Sequence, residues 1–239
     1  MAGASVFGRS SCLSTDANIP TGIILKPIVE MIQASPNLRS LDLTLRTHSS
    51  WNATPWPDSS SSLFPVKIFR DLRIYRVDGS ADPNWLSFFE APETNSFRSF
   101  VQLHPNLHTV SITSGGSVPG YDSVDRETLA ELFPSLRHFE GPAFLCEALA
   151  QSTLAPLLET LGISNSGPKN KLLLTIARKT HHLPKLRTLK LMLYGVTDNI
   201  RSILSAMLVA TPNLTHLYLS HISASQVCKL VFPAIGCIY

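Results

Sequence analysis

One short phrase returns along this chain at a spacing that few folds accommodate. Pro212-Asn213-Leu214-Thr215-His216-Leu217-Tyr218-Leu219 carries it in full, and Pro184-Lys185-Leu186-Arg187-Thr188-Leu189-Lys190-Leu191 repeats it. Further copies begin at Pro36, Pro105, Pro134 and Pro156, with Ile112 or Ile163 replacing the last leucine in two of them. Phe69-Arg70-Asp71-Leu72-Arg73-Ile74 keeps the apolar spacing without the proline. The copies at Pro134, Pro156, Pro184 and Pro212 start 22, 28 and 28 residues apart. A fixed period in this range belongs to repeat architectures, in which each unit buries its apolar face against the next.

The phrase has a physical logic. Its last two apolar residues sit two apart, so both point into a core from one short strand. A period near 28 residues leaves room for a helix and two loops, so successive strands should run parallel through right-handed crossovers. The intervening segments read as helices. Ile200, Ile203, Leu204, Met207 and Leu208 form one apolar stripe, with Thr197 or Asp198 as its cap. Asp125 to Phe133 carries Leu129, Leu132 and Phe133 on one side. Phe144, Leu145, Ala148 and Leu149 form another stripe. Leu172, Leu173, Ile176 and Ala177 form a further one, ending in Arg178 and Lys179, which suit a helix C-terminus. Residues 79–103 predict two short helices, around Trp85–Phe89 and Phe97–Leu103, split near Pro92. Each recurring proline follows a helix and stops it.

The expected fold is therefore α/β: a right-handed leucine-rich repeat solenoid of about seven irregular strand-helix repeats, with a parallel sheet on its concave face. Residues 1–22 are expected to be a disordered N-terminal segment, and 23–239 the solenoid, truncated at one or both ends. Residues 47–62 read as a polar surface loop and Ser114–Gly120 as a flexible one. After Leu217–Leu219 the chain predicts one last short helix, bearing Val227, Leu230 and Val231 and left without a polar cap.

Composition narrows the function. A net charge of +3 gives no global field to attract nucleic acid. No apolar run approaches the roughly 20 residues that span a bilayer, and the N-terminus lacks a secretory pattern. Cys12, Cys146, Cys228 and Cys237 form no C-x-x-C pair and read as reduced thiols. The expectation is a cytoplasmic or nuclear monomer.

No phosphate loop, dinucleotide fingerprint, zinc spacing or nucleophile elbow is present in the sequence. His181-His182 reads as a solvated helix end, and Asp78-Gly79-Ser80-Ala81-Asp82 as a polar turn. Cys146 reads as a structural thiol on a buried helical stripe. No catalytic residue, metal site or cofactor is expected, and the chain is not read as an enzyme. Between Thr160 and Thr197 lie Lys169, Lys171, Arg178, Lys179, Lys185, Arg187 and Lys190 without one acidic residue. These read as a solvated convex side or, alternatively, as a contact for an acidic partner.

Strand alternation locates the candidate site. Residues between the core leucines face the other side of the sheet and stack into rows about 4.8 Å apart. The first row reads Ser40, Asp71, Thr109, His138, Thr160, Thr188 and His216. The second reads Asp42, Arg73, Ser111, Glu140, Gly162, Lys190 and Tyr218. Arg73, His138, Glu140, Lys190, Met192, His216 and Tyr218 are the candidate partner-binding residues. The surface is mixed and lightly charged, suited to a protein or peptide.

The P-x-L-R-x-L-x-L strands with amphipathic helices resemble the ribonuclease-inhibitor-like leucine-rich repeats of F-box proteins. Leu132-Phe133-Pro134-Ser135-Leu136-Arg137-His138-Phe139 and Leu183-Pro184-Lys185-Leu186-Arg187-Thr188-Leu189-Lys190-Leu191 look like the fungal set, and the similarity covers residues 23–232. The resemblance implies substrate recognition for a Skp-cullin-F-box ubiquitin ligase whose chemistry belongs to other subunits. A stand-alone scaffold with no ubiquitin role is the alternative. The chain departs from the family in three ways. The Asn or Cys expected just after each strand is replaced by Arg46, Gly115, Phe144, Ser166, Tyr194 and Ile222. Gly141 replaces an apolar strand residue. Residues 1–22 are too few for an F-box, so a Skp-type adaptor would bind only through one lying upstream.

Overall fold

The computed structural model describes residues 34–35, 37–45, 74–79, 85–114, 124–166, 183–193, 204–205, 207–209, 211–221 and 226–231. The expectations for residues 1–22, the 47–62 loop, the Leu172–Ala177 helix, His181-His182 and Lys169 to Lys179 lie outside them. The chain is α/β and divides into two compact units, Met1–Val118 with Leu132–Ser135, and Pro119–Glu131 with Leu136–Tyr239.

The first unit holds three parallel strands, β1 (Ser40–Leu45), β2 (Ile74–Gly79) and β3 (Thr109–Ser114). Helices α1 (Trp85–Glu90) and α2 (Ser96–Leu103) lie between β2 and β3, as the sequence predicts. Asn95 starts α2: its Oδ1 accepts the Arg98 N–H at 2.8 Å, and its amide donates to Ser87 Oγ at 2.7 Å. That satisfies one of the orphan donors at the helix start. Phe97, Phe100 and Val101 recur at helical spacing and are buried. Trp85, Phe88 and Phe97 meet with ring centroids 5.4 to 6.0 Å apart, aromatic contacts that add to area burial.

The register of β2 corrects the sequence reading. Ser40 pairs with Ile74 and Asp42 with Arg76, where the sequence reading put Asp71 and Arg73. The slip is three residues, and an odd slip exchanges the two faces of a strand. Both parities of Leu72-Arg73-Ile74-Tyr75-Arg76-Val77 carry apolar residues, so alternation alone does not fix the register there.

The second unit holds β4 (His138–Pro142), β5 (Thr160–Ser166), β6 (Thr188–Leu193) and β7 (His216–His221), all parallel. An eighth strand, β8 (Gln226–Val231), pairs antiparallel with β7. This corrects the expected terminal helix. Val227, Leu230 and Val231 fit helical spacing, but Gln226-Val227-Cys228-Lys229-Leu230-Val231 is rich in strand formers, and β8 supplies the ladder that the β7 edge would otherwise lack. Helices α3 (Arg126–Leu132) and α4 (Ala143–Ala150) precede β4 and β5, and α4 packs on both strands. Asp125 caps α3, accepting from Glu127 N–H and from Thr128 Oγ1, and these bonds hold its carboxyl below the ordinary range. Leu204, Ser205 and Met207 to Val209 are helical ahead of β7. Met207 is buried as expected, but Leu208 is 39% exposed, so the apolar stripe is narrower than the sequence suggests.

One turn recurs before the strands. The carbonyls of His104, Ala155, Leu183 and Thr211 each accept the N–H three residues on, at 3.1–3.3 Å. Pro105, Pro156, Pro184 and Pro212 occupy the second position, where a preset φ favours a β-turn. The fourth residue is Leu107, Leu158, Leu186 or Leu214, buried in each case. The proline therefore does more than stop a helix: it folds the chain back so that this leucine enters the core before the strand begins.

Neighbouring turns are tied together at the strand starts. Arg137 O accepts from the N–H groups of Glu159 and Thr160, Glu159 O from Arg187 and Thr188, and Arg187 O from Thr215 and His216, all at 2.7–3.1 Å. Asn213 Nδ2 donates to Pro184 O at 2.6 Å. This ladder binds one strand start to the next.

Candidate functional site

Alternation along β4 to β7 separates two faces. Phe139, Leu161, Ile163, Leu189, Leu191 and Leu217 are buried on one of them. Leu219, of the same parity, is only half-buried, near the end of its strand. His138, Glu140, Thr160, Thr188, Lys190, Met192, His216 and Tyr218 lie on the other and keep partial exposure.

The predicted rows hold across this unit. His138 aligns with Thr160, Thr188 and His216, and Glu140 with Gly162, Lys190 and Tyr218. Met192 aligns with Ser220. Six of the seven candidate residues therefore share one face of one unit. Arg73 lies outside the described residues, and Arg76 takes its register position in the first unit.

Hydrogen bonds link members of the first row to each other and to the adjoining strand starts. His138 Nδ1 and Thr160 Oγ1 are 3.0 Å apart. Thr215 Oγ1 donates to Arg187 O at 3.0 Å and lies 2.9 Å from His216 Nδ1. The His216 and Tyr218 rings are close to parallel, at 14°, with centroids 6.4 Å apart. At the strand starts Arg137 pairs with Glu159 at 3.3 Å.

The second row contains an ion pair. Lys190 Nζ donates to Glu140 Oε2 at 2.7 Å, reaching from β6 to β4 across β5. Gly162 makes the crossing possible: a Cβ on it would come within 2.7 Å of Glu140 Cγ and 2.9 Å of Glu140 Cβ. Sequence reading placed Gly162 in the row but missed this role. The signal was present, since the smallest residue stands between an acid and a base at matching positions. The pair also changes the reading of Lys190, whose charge is already engaged rather than free to select a partner.

Cys146 supports the same strand from the core side. The thiol is fully buried and lies 3.3 Å from Gly162 O and 3.5 Å from Gly141 O. Burial pushes the thiol well above its ordinary range, and the Glu140 carboxylate adds to the shift. A thiol so held stays protonated at neutral pH and is a poor nucleophile, consistent with the structural role read from the sequence.

Among the described residues no group of three or more His, Cys, Asp or Glu side chains is placed to hold a metal ion. Among them, too, no helix is long and apolar enough to cross a membrane. No protein-family model matches the chain, and no curated protein matches it.

Proposed function

We propose that this chain is a leucine-rich repeat solenoid that binds a protein through its concave sheet face, centred on β6 and β7. The observation that carries the reading is the shared face of His138, Glu140, Lys190, Met192, His216 and Tyr218, partly exposed on parallel strands with a buried opposite face. The recurrent turn and the ladder of strand starts support the repeat reading. Tyr and Met are favoured interface residues, and the neighbouring His and Thr groups supply adaptable hydrogen bonds.

The resemblance to fungal F-box proteins extends the proposal to substrate recognition for a Skp-cullin-F-box ubiquitin ligase. On that reading this chain contributes binding, and the transfer chemistry belongs to other subunits. Affinity purification with mass spectrometry tests both levels. A partner that is retained by the native chain and weakened by more than about 1 kcal/mol in a folded Tyr218→Ala variant supports the face. Undiminished capture by a folded Lys190→Met/Tyr218→Ala double variant refutes it. Recovery of a Skp-type adaptor together with the partner supports the ligase assignment; a partner recovered without any adaptor favours the stand-alone scaffold.

A further inference from the structure

Among the residues with described side chains, two formally charged ones occupy this face from β4 to β7. They are Glu140 and Lys190, aligned in one row through Gly162. Glu140 is two strands from Lys190, and its carboxylate reaches the ammonium only because Gly162 carries no side chain. Lys190 thus already holds a carboxylate at 2.7 Å, supplied by its own chain. Both side chains remain partly exposed, 43% for Lys190 and 24% for Glu140. A pair this open to water is weak and screened by salt, so an incoming carboxylate can displace it.

We propose that an acidic segment of a protein partner replaces Glu140 on Lys190, running along the row past Tyr218. Glu140 is then an internal competitor: it occupies the site in the free protein and yields it to a ligand of the same chemistry. An arrangement of this kind discriminates against single anions, which gain too little to displace a tethered carboxylate. It favours segments that also bury apolar surface against Tyr218 and Met192. This inference rests on the reading that the face binds a protein.

The test uses the full chain and a fluorescein-labelled hexaglutamate peptide, followed by anisotropy at low ionic strength. Glu140→Gln should tighten binding about two- to five-fold, the range set by loss of one exposed ion pair. Glu131→Gln removes the same charge from the exposed side of α3 and should change binding by much less. In a Lys190→Met background the gain from Glu140→Gln should vanish. Urea midpoints verify that each variant is folded. Equal gains from Glu140→Gln and Glu131→Gln would overturn the proposal, as would a gain that survives Lys190→Met or the absence of any gain. If that gain is missing while a partner is still captured in a Tyr218-dependent way, the acidic class falls and the binding face stands. If both are missing, both fall.

Discussion

Lys190 and Glu140 form an ion pair at 2.7 Å although a whole strand separates theirs. The glycine beneath them, Gly162, is the reason, and Cys146 holds that glycine's carbonyl from the core side. Sequence, register and charge therefore meet at one point on the face.

Gly162→Ala should displace Glu140, because the new Cβ would lie 2.7 Å from its Cγ and 2.9 Å from its Cβ. The Glu140 Cβ is fixed to its strand, so part of the overlap must be taken up by the backbone. A cost of about 1–3 kcal/mol is expected, the range for overpacked sites. Glu140→Ala removes Cγ and Cδ, so Gly162→Ala should cost less in that background. A urea-denaturation double-mutant cycle measures the coupling; additive costs would show that the two side chains do not meet.

Much of this arrangement was legible in the sequence. The alternation of Leu189 with Thr188 and Lys190 gives the register of β6, and the same pattern serves β4, β5 and β7 because leucine, isoleucine and phenylalanine keep to one parity there. It failed at β2, where Ile74, Tyr75 and Val77 place apolar residues on both parities. It failed again at β8, where Val227, Leu230 and Val231 satisfy helical spacing while their pairing partner, β7, is set by tertiary structure. The Lys190–Glu140 contact was missed for another reason, although Gly162 between an acid and a base at matching positions signalled it. Rows predict which residues are neighbours across one strand spacing, whereas this pair skips a strand.

Leu189→Ala and Thr188→Ala should separate the two faces. Leu189 is 1% exposed, and its truncation should cost about 2–5 kcal/mol. Thr188 lies on the partly exposed face, and its main-chain bond to Glu159 O survives substitution, so the cost should stay within about 0.5 kcal/mol. Equal shifts of the urea midpoint would show that the register of β6 is wrong.

His104 should make the first unit sensitive to mild acid. It is buried, its Nδ1 lies 2.6 Å from Phe100 O, and its ring packs on Phe100 with centroids 4.3 Å apart. Desolvation lowers its pKa, and the Phe100 carbonyl offsets part of that shift. The unfolded chain therefore takes up a proton at a higher pH than the folded one. Stability from this residue is complete above about pH 6.5, the unperturbed value, and declines as pH falls through it toward the folded pKa. His104→Asn keeps a donor without a group that titrates there, so the loss between about pH 7 and pH 5 should shrink. Urea midpoints of both proteins across that window measure the difference, and identical pH profiles would contradict it.

The central claim is that the half-exposed face of β4 to β7 is where a protein partner sits. A photo-crosslinking amino acid at Thr188, midway along the first row, tests it most directly, with Glu131 on the exposed side of α3 as the matched position. The account predicts covalent capture of a partner polypeptide from Thr188 and none from Glu131. Capture from Glu131 alone, by folded protein that still retains its partner, would contradict it.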